Sequence, residues 1–457
     1  MRNKITGLKS LSFFCALSCG TEIVFAHEYE AYARTAIGTA RAYAGESARS
    51  DDASVSYANP AAIAKLKGVH WSGVFHVMTF NADTEDVSAD YANSSSVKGD
   101  SDSNLGGLFG GPSFYYVTDL DKDWHFGISV LAPYAYGTDY DREWGGRFSG
   151  TFSELVVFAV TPSIAFSLNN ELSIGLSLPL NIASVEFHRG LNQAGRCIGL
   201  ESDGSLPTGT CVTEGLVLNA DNSEGFEKVK AEGWGIGATV AVHYTSIDDN
   251  WQFGIVYRFG ETIALEGESQ YRGVNTVISN QGQWLASDVD IDLELPATFT
   301  VGGAWNLNNQ VTLYSDITWK HWSDFKGWAI EYEDSGNPDQ RYSVDWGNGM
   351  RSAIGVDFRL NSQWILHTGY AYDNSPVKNK HGQSPLVPAA DIEWYTFGAS
   401  YQLSPTQRLS FSYAFLDYKD AIIEQNSDAP YIDEEVFLSG EWSMSLHLLG
   451  VQYSAEF

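Results

Sequence analysis

The sequence predicts an all-β fold, a closed antiparallel barrel of 14 transmembrane strands. Three observations carry that expectation: strict alternation of apolar and polar residues, a recurring tight turn between longer polar connections, and a last strand that ends on an aromatic residue. Alternation is plainest at residues 172–182, where Leu172, Ile174, Leu176, Leu178, Leu180 and Ile182 interleave with Ser173, Gly175, Ser177, Pro179 and Asn181. Val289, Ile291, Leu293 and Leu295 alternate with Asp288, Asp290, Asp292 and Glu294. Leu409, Phe411, Tyr413 and Phe415 alternate with Arg408, Ser410, Ser412 and Ala414. Period two puts each set on its own face of a strand. A soluble sandwich alternates as well, so the turns have to decide.

The first element is a leader. Arg2, Lys4 and Lys9 precede a short apolar core at Leu11–Ala16, and Val24-Phe25-Ala26 is a small-x-small cleavage signal. Residues 1–26 therefore read as a secretory signal peptide, too short to span a membrane as a helix. A lipoprotein leader with Cys19 lipidated is the alternative, and Leu17-Ser18-Cys19-Gly20 fits it poorly. Residues 27–67 come next and do not alternate. They are small, Ala-rich and Gly-punctuated, with Tyr43, Tyr57, Ile63 and Leu66 to bury. Asn59-Pro60 is a turn dipeptide that denies the chain a ladder donor. This segment reads as a partly helical hatch plugging the lumen, against the alternative of a loose periplasmic tail.

Residues 68–457 read as strand after strand. TDLDKDW (118–124), FSLNNEL (166–172), TSIDDNW (245–251), WNLNNQV (305–311), FRLNSQW (358–364) and YQLSPTQ (401–407) share one pattern: an aliphatic residue, two to four turn formers, then a new strand. Longer connections fall near 80–110, 133–150, 188–227, 266–288, 327–347, 374–390 and 419–440. Six tight turns pair twelve strands, one strand precedes them and one follows, which makes 14. An even count with both termini on the short-turn, periplasmic side is the pattern of an outer-membrane barrel. The expected strands are 68–80, 111–118, 124–133, 151–168, 171–188, 228–245, 251–268, 290–306, 310–326, 348–360, 363–373, 391–403, 407–419 and 441–457. Most reach the roughly 9–11 residues that a tilted membrane strand needs. The chain closes on VQYSAEF, with Leu449, Val451, Tyr453 and Ala455 alternating back from Phe457.

Composition narrows the function. A formal charge of −30 argues against nucleic acid, where Lys and Arg must neutralise phosphate. Cys15 and Cys19 fall in the leader, which leaves Cys197 and Cys211. In an oxidising compartment these two most simply pair, closing a loop of about 15 residues for about 3 kcal/mol; the alternative is two free thiols. No Gly-x-Ser-x-Gly elbow or His-Glu-x-x-His motif is present, so no enzyme, cofactor or metal is expected. The acids of 288–294 alternate along one strand and read as a hydrated lumen or loop-proximal face rather than a cation site.

Several segments resemble the outer-membrane long-chain fatty acid transporter family, which includes aromatic-hydrocarbon channels. They are GTARAYAGESARSDDASVSYANPAAIAKL (38–66), APYAYGTDYDREWGGRF (132–148), TPSIAFSLNNELSIG (161–175), GWGIG (233–237), LPATFTVGGAWNLNNQVTLYSDITWKHWSDF (295–325) and YDNSPV (372–377), spread in order over nearly the whole chain. The resemblance implies a 14-stranded barrel with an N-terminal hatch, in contact with outer-membrane lipid and lipopolysaccharide. It also implies passive uptake of hydrophobic molecules, captured among the outer loops and released sideways through a kink in the third strand.

Candidate residues follow from register and from the resemblance. Pro133 removes a ladder donor, so the third strand either bulges or ends there. The resemblance favours a lateral gate shaped by Pro133, Tyr136 and Gly137, with Asn59, Pro60 and Ala61 candidates to anchor the hatch beside it. On the fifth strand Val185, Phe187 and Arg189 face inward. On the ninth the inward row is Tyr314, Asp316, Thr318, Lys320, Trp322 and, if the register holds, Lys326. Arg189 and Lys326 lie near the positions where fatty acid transporters place a basic pair, which can give a carboxylate charge-assisted hydrogen bonds. Both read equally as solvated rim residues. Asp373 shares the inward row with His367 and Gly369; it pairs with a lumen base or with the hatch, or caps a turn. One departure matters: where the family places an acid and an arginine, this chain has Ala389 and Ile392. That leaves two transport readings, a fatty acid channel and an aromatic or alkane channel. A surface adhesin, phage-receptor or structural barrel is the reading from another class, and an outer-membrane lipid hydrolase a third; as a closed barrel the chain is expected to be monomeric.

Overall fold

A computed structural model describes residues 32–91, 94–100, 104–220, 223–333, 336–425 and 436–457. The expected leader and the first hatch residues lie outside them. Fourteen strands close into one antiparallel barrel. The first four are Val69–Tyr91, Asn104–Asp119, Trp124–Asp139 and Phe152–Ser167. The next four each come in two pieces: Leu172–Ser177 and Leu180–Asn192, Glu224–Ile236 and Thr239–Thr245, Trp251–Arg258 and Glu261–Arg272, Ser287–Leu295 and Thr298–Asn306. The last six are Val311–Lys320, Gly349–Arg359, Trp364–Asn374, Ile392–Ser404, Gln407–Tyr418 and Val436–Glu456. The fourteenth strand pairs with the first from His70↔Glu456 to Tyr91↔Val436, so no sheet edge is left at the seam.

The tight turns form for the reason their sequences suggest. Asn169, Asn308 and Asn361 each turn a side-chain oxygen onto the two backbone N–H groups that start the next strand, at 2.7–3.0 Å. Asp121 does the same for Asp123 and Trp124. Such local bonds satisfy the donors that a sharp reversal exposes.

Two sequence expectations are corrected. The segment read as a connection at 80–110 is largely strand, and the one at 266–288 opens with strand as far as Arg272. The first strand runs 23 residues, twice what a bilayer requires. Its upper part carries Asn81, Asp83 and Glu85, polar residues that look like loop, yet the ladder to the second strand reaches Asp83 and the ladder to the fourteenth runs on to Tyr91. The second correction concerns Asp288, Asp290, Asp292 and Glu294. They face away from the lumen, while Val289, Leu293 and Leu295 are buried inside it. Below Pro296-Ala297 the same odd-numbered row, Phe299, Val301 and Trp305, is exposed on the outer wall. A break of two residues between Leu295 and Thr298 reverses which face is which, as a bulge does. The seventh strand reverses at Phe259-Gly260: Trp251, Phe253, Ile255 and Tyr257 point out, Ile263 and Leu265 in.

The third strand continues to Asp139 but bulges between Leu131 and Tyr134, at Ala132-Pro133. It pairs with the second strand only from Val130↔Phe114 down to His125↔Asp119. Above that point the second strand is laddered to the first alone and the third to the fourth alone.

Candidate ligand cavity in the lumen

Residues 32–66 are almost entirely buried and lie against the inner wall. Thr35 caps a short helix, Ala36–Ala40, by accepting from Gly38 N at 2.8 Å. Asn59 caps a 3-10 helix, Pro60–Lys65, by accepting from Ala61 N at 2.9 Å, with Pro60 at the position that needs no donor. Small residues allow close approach. A Cβ on Gly175 would lie 2.3 Å from Ala61 N, and one on Gly254 only 1.7 Å from the Ser47 carbonyl oxygen. Ser173 Oγ donates to the Ala61 carbonyl at 2.8 Å, and Asn59 Nδ2 donates to Ser47 O and Val242 O. Asn59, Pro60 and Ala61 thus dock on the fifth to seventh strands. Their neighbours Tyr57 and Ala58, rather than these three, line the cavity together with Pro133.

Charge ties the segment to the opposite wall. Arg41 Nε donates to Asp357 at 2.8 Å and its Nη1 lies 3.2 Å from Asp51. Asp52 receives Arg408 at 3.1 Å and Gln452 at 2.8 Å. Ser47 Oγ donates to Asp316 at 2.5 Å.

Above the segment lies a cavity holding about 830 Å³ of empty space, counting what opens to solvent. Tyr43, Tyr57, Pro133, Tyr134, Trp322 and Val256 give it apolar wall; Arg34, Arg258, Lys320 and Arg351 give it cations against Glu46 and Asp316. Lys320 Nζ donates to Asp373 Oδ2 at 2.9 Å, and the Tyr32 hydroxyl donates to the same oxygen at 2.7 Å. Arg351 is 5% exposed and gives one N–H to the Ala42 carbonyl. Its guanidinium lies 4.9 Å from the Trp394 ring centre. Its Nε is buried without a hydrogen-bond acceptor among the described residues, the nearest carboxylate oxygen of Asp373 being 3.9 Å away. Above stands an apolar layer in which Trp322, Phe325 and Trp346 meet at 5.1–5.7 Å between ring centres.

The expected site residues divide. Asp373 and Trp322 are at the cavity or its cation, and Pro133 lines it. Arg189 is buried away from it, donating to Glu227 at 2.6 Å; Glu227 also accepts from Tyr271 and Tyr332. Phe187 packs on Tyr342, 6.1 Å between ring centres, in the apolar layer. Lys326 is exposed and bonds the Ser323 carbonyl. The ninth strand ends at Lys320 and a 3-10 turn follows, Trp322–Asp324, so the inward register does not reach Lys326. Tyr136 accepts from Ser153 Oγ at 3.0 Å, and Gly137 pairs with Glu154. Cys197 and Cys211 are bonded, Cα atoms 5.8 Å apart, in the long connection after the fifth strand.

Two features were not legible beforehand. Arg351 was passed over because one arginine in a strand carries no signal of its own. Asp357, His367 and Ser400 form a hydrogen-bonded chain of 2.6 and 2.7 Å. Ser400 is 1% exposed and 2.7 Å from Ser410 Oγ, so no substrate carbonyl can approach its hydroxyl; the chain braces the wall beneath Arg41.

A family model described as outer membrane protein transport protein (OMPP1/FadL/TodX) matches residues 17–457. The chain belongs to this family. Outer membrane protein P1 of Haemophilus influenzae is 25% identical over 405 residues, 84% of each chain. A long-chain fatty acid transport protein of Escherichia coli O6:H1 is 25% identical over 384 residues, covering 80% of this chain and 81% of that one. Among solved structures, a Pseudomonas aeruginosa FadL homologue superposes with a TM-score of 0.84 at 19% identity, covering 94% of this chain and all of that one. The Pseudomonas putida toluene transporter TodX gives 0.65 at 21% identity, over 94% and 99%. These two likenesses establish a shared fold. As a family member, this chain is an outer-membrane β-barrel of a transport family.

Proposed function

We propose that this chain is a passive channel for hydrophobic compounds, with long-chain fatty acids as its main substrate class. The observation that carries the reading is Arg351 Nε, a buried cationic N–H lining the cavity with no acceptor among the described residues. Leaving such a donor unmet is costly, and a ligand carboxylate would satisfy it with a charge-assisted bond. Lys320, paired to Asp373, stands beside it as a second cation, and Trp322 and Phe187 belong to the apolar path above. In this reading residues 27–67 act as the hatch. The missing ladder between the second and third strands, above Phe114 and Val130, supports a lateral exit shaped by Pro133, Tyr136 and Gly137. Sideways release returns an apolar solute to hydrocarbon rather than to water.

The Trp322, Phe325 and Trp346 cluster and Ile392 favour a second reading, an aromatic-hydrocarbon channel. Uptake of labelled oleate and toluene by cells with and without the chain separates the two. The proposal expects oleate uptake to depend on the chain and to fall about tenfold in Arg351→Met, the loss of one charged hydrogen bond. Toluene uptake dependent on the chain and indifferent to Arg351 selects the aromatic channel. Equal uptake of both with and without the chain overturns both readings.

A further inference from the structure

We infer that the breaks in the fifth to eighth strands hold a second, polar subsite that takes the uncharged hydroxyl head of a hydrophobic ligand. The inference rests on the channel reading above and adds a ligand class to it. Four strands are interrupted side by side, at Leu178-Pro179, Gly237-Ala238, Phe259-Gly260 and Pro296-Ala297. Gly237 N donates to Pro179 O at 2.9 Å and Phe259 N to Ala238 O at 3.0 Å, so the breaks adjoin one another. Behind them a cavity continues from the main one, sharing Tyr57, Pro133, Tyr134, Arg258 and Pro296 with it. Its wall is otherwise apolar, except for Asn181 and Glu261.

These two residues are built in. Asn181 is 5% exposed, and its Nδ2 donates to Glu261 Oε1 at 2.5 Å. Its Oδ1 and Glu261 Oε2 are both buried without a hydrogen-bond partner among the described residues. Glu261 Oε2 occupies the space over Gly237, where a Cβ would come within 2.4 Å of it. Arg258, the cation lining this cavity, is engaged with the hatch: Nη1 donates to the Tyr57 hydroxyl at 2.5 Å and Nη2 to its carbonyl at 3.3 Å. Two neighbouring acceptors with no donor, in an apolar pocket, call for a ligand donor. An alkane leaves both unmet. A carboxylate is repelled by Glu261 and is drawn to Arg351 instead. An alcohol or phenol supplies the missing O–H while its apolar body fills the pocket.

The test uses the purified full-length protein in detergent and three probes of one chain length: 1-dodecanol, dodecanoate and dodecane. Asn181→Leu is expected to weaken dodecanol about tenfold, the scale of one buried hydrogen bond, while dodecane and dodecanoate stay within about twofold. Glu261→Gln keeps the side chain's shape; it should weaken dodecanol and strengthen dodecanoate. The heat-dependent gel shift of the barrel reports folding of both variants. Equal loss of all three probes, or dodecanol binding indifferent to both substitutions, overturns the subsite. If dodecanoate still binds in an Arg351-dependent way, that failure leaves the channel reading standing. Failure of the wild type to bind any probe overturns both.

Discussion

Asp373 is held between two strands that treat it differently: Arg351 is its register partner on the tenth strand, and Ile392 its partner on the twelfth. The sequence departure at Ile392 suggested that the lumen had lost a cation. The sheet shows a cation on the other side of the same carboxylate, and Lys320 in direct contact at 2.9 Å.

Asp373→Asn leaves the buried Lys320 ammonium without its carboxylate. The expected cost is about 3–5 kcal/mol, the usual scale when one partner of a buried pair is removed. The midpoint of the heat-dependent gel shift should fall. The double variant Lys320→Met, Asp373→Leu should recover much of the loss, because neither charge then needs a partner.

Gly254→Ala should unseat the hatch without unfolding the barrel, because the new Cβ would fall 1.7 Å from the Ser47 carbonyl and that atom is backbone. Gly303→Ala is the control, since its nearest contact is the edge of Phe253 at 3.4 Å. Single-channel conductance in planar bilayers should rise for the first and not for the second. Unchanged conductance in Gly254→Ala counts against residues 27–67 as a plug.

Acid should loosen the same segment. Burial works against ionisation of Asp51, but Arg49, Arg41 and Arg408 outweigh it and hold its carboxyl well below the usual range. A lowered folded value means that the stabilisation is complete above the unfolded carboxylate value near 3.9 and is lost as pH falls below it. Hydrogen exchange at residues 36–52 should therefore be flat from pH 7 to 5, after correction for intrinsic rates, and accelerate toward pH 2. Asp51→Asn should raise exchange at pH 7 and flatten this acid dependence.

Reduction of Cys197–Cys211 should act locally. The bond closes a loop of about 15 residues, worth about 3 kcal/mol by loop-closure arguments. It holds the helix Gln193–Ser202 to Thr210–Thr213 within the connection after the fifth strand. Cys197→Ser with Cys211→Ser should speed exchange in 193–216 and leave the barrel's gel-shift midpoint unchanged.

The sequence by itself determined the barrel. Period-two alternation and six tight turns, five of them bearing Asn or Asp, are local properties, each set by residues within one strand or turn, and counting the turns makes the strand number even. It also placed Asp373 and Lys320 on inward rows, because parity within a single unbroken strand is enough. What only the tertiary structure decided lies wherever parity is broken or neighbours are distant in the chain. The apolar row 289–305 keeps its odd numbering throughout, yet it passes from lumen to lipid at Pro296-Ala297, and no local pattern marks the exchange. Lys326 falls out of the lumen because the ninth strand stops six residues earlier and turns. Arg351 gains its meaning from lying opposite Asp373, and Asn181 from meeting Glu261, 80 residues away. Hydrophobic alternation specifies which residues share a face; which face that is, and what stands across from it, depends on hydrogen-bonded register between strands, which closes only when the whole barrel does.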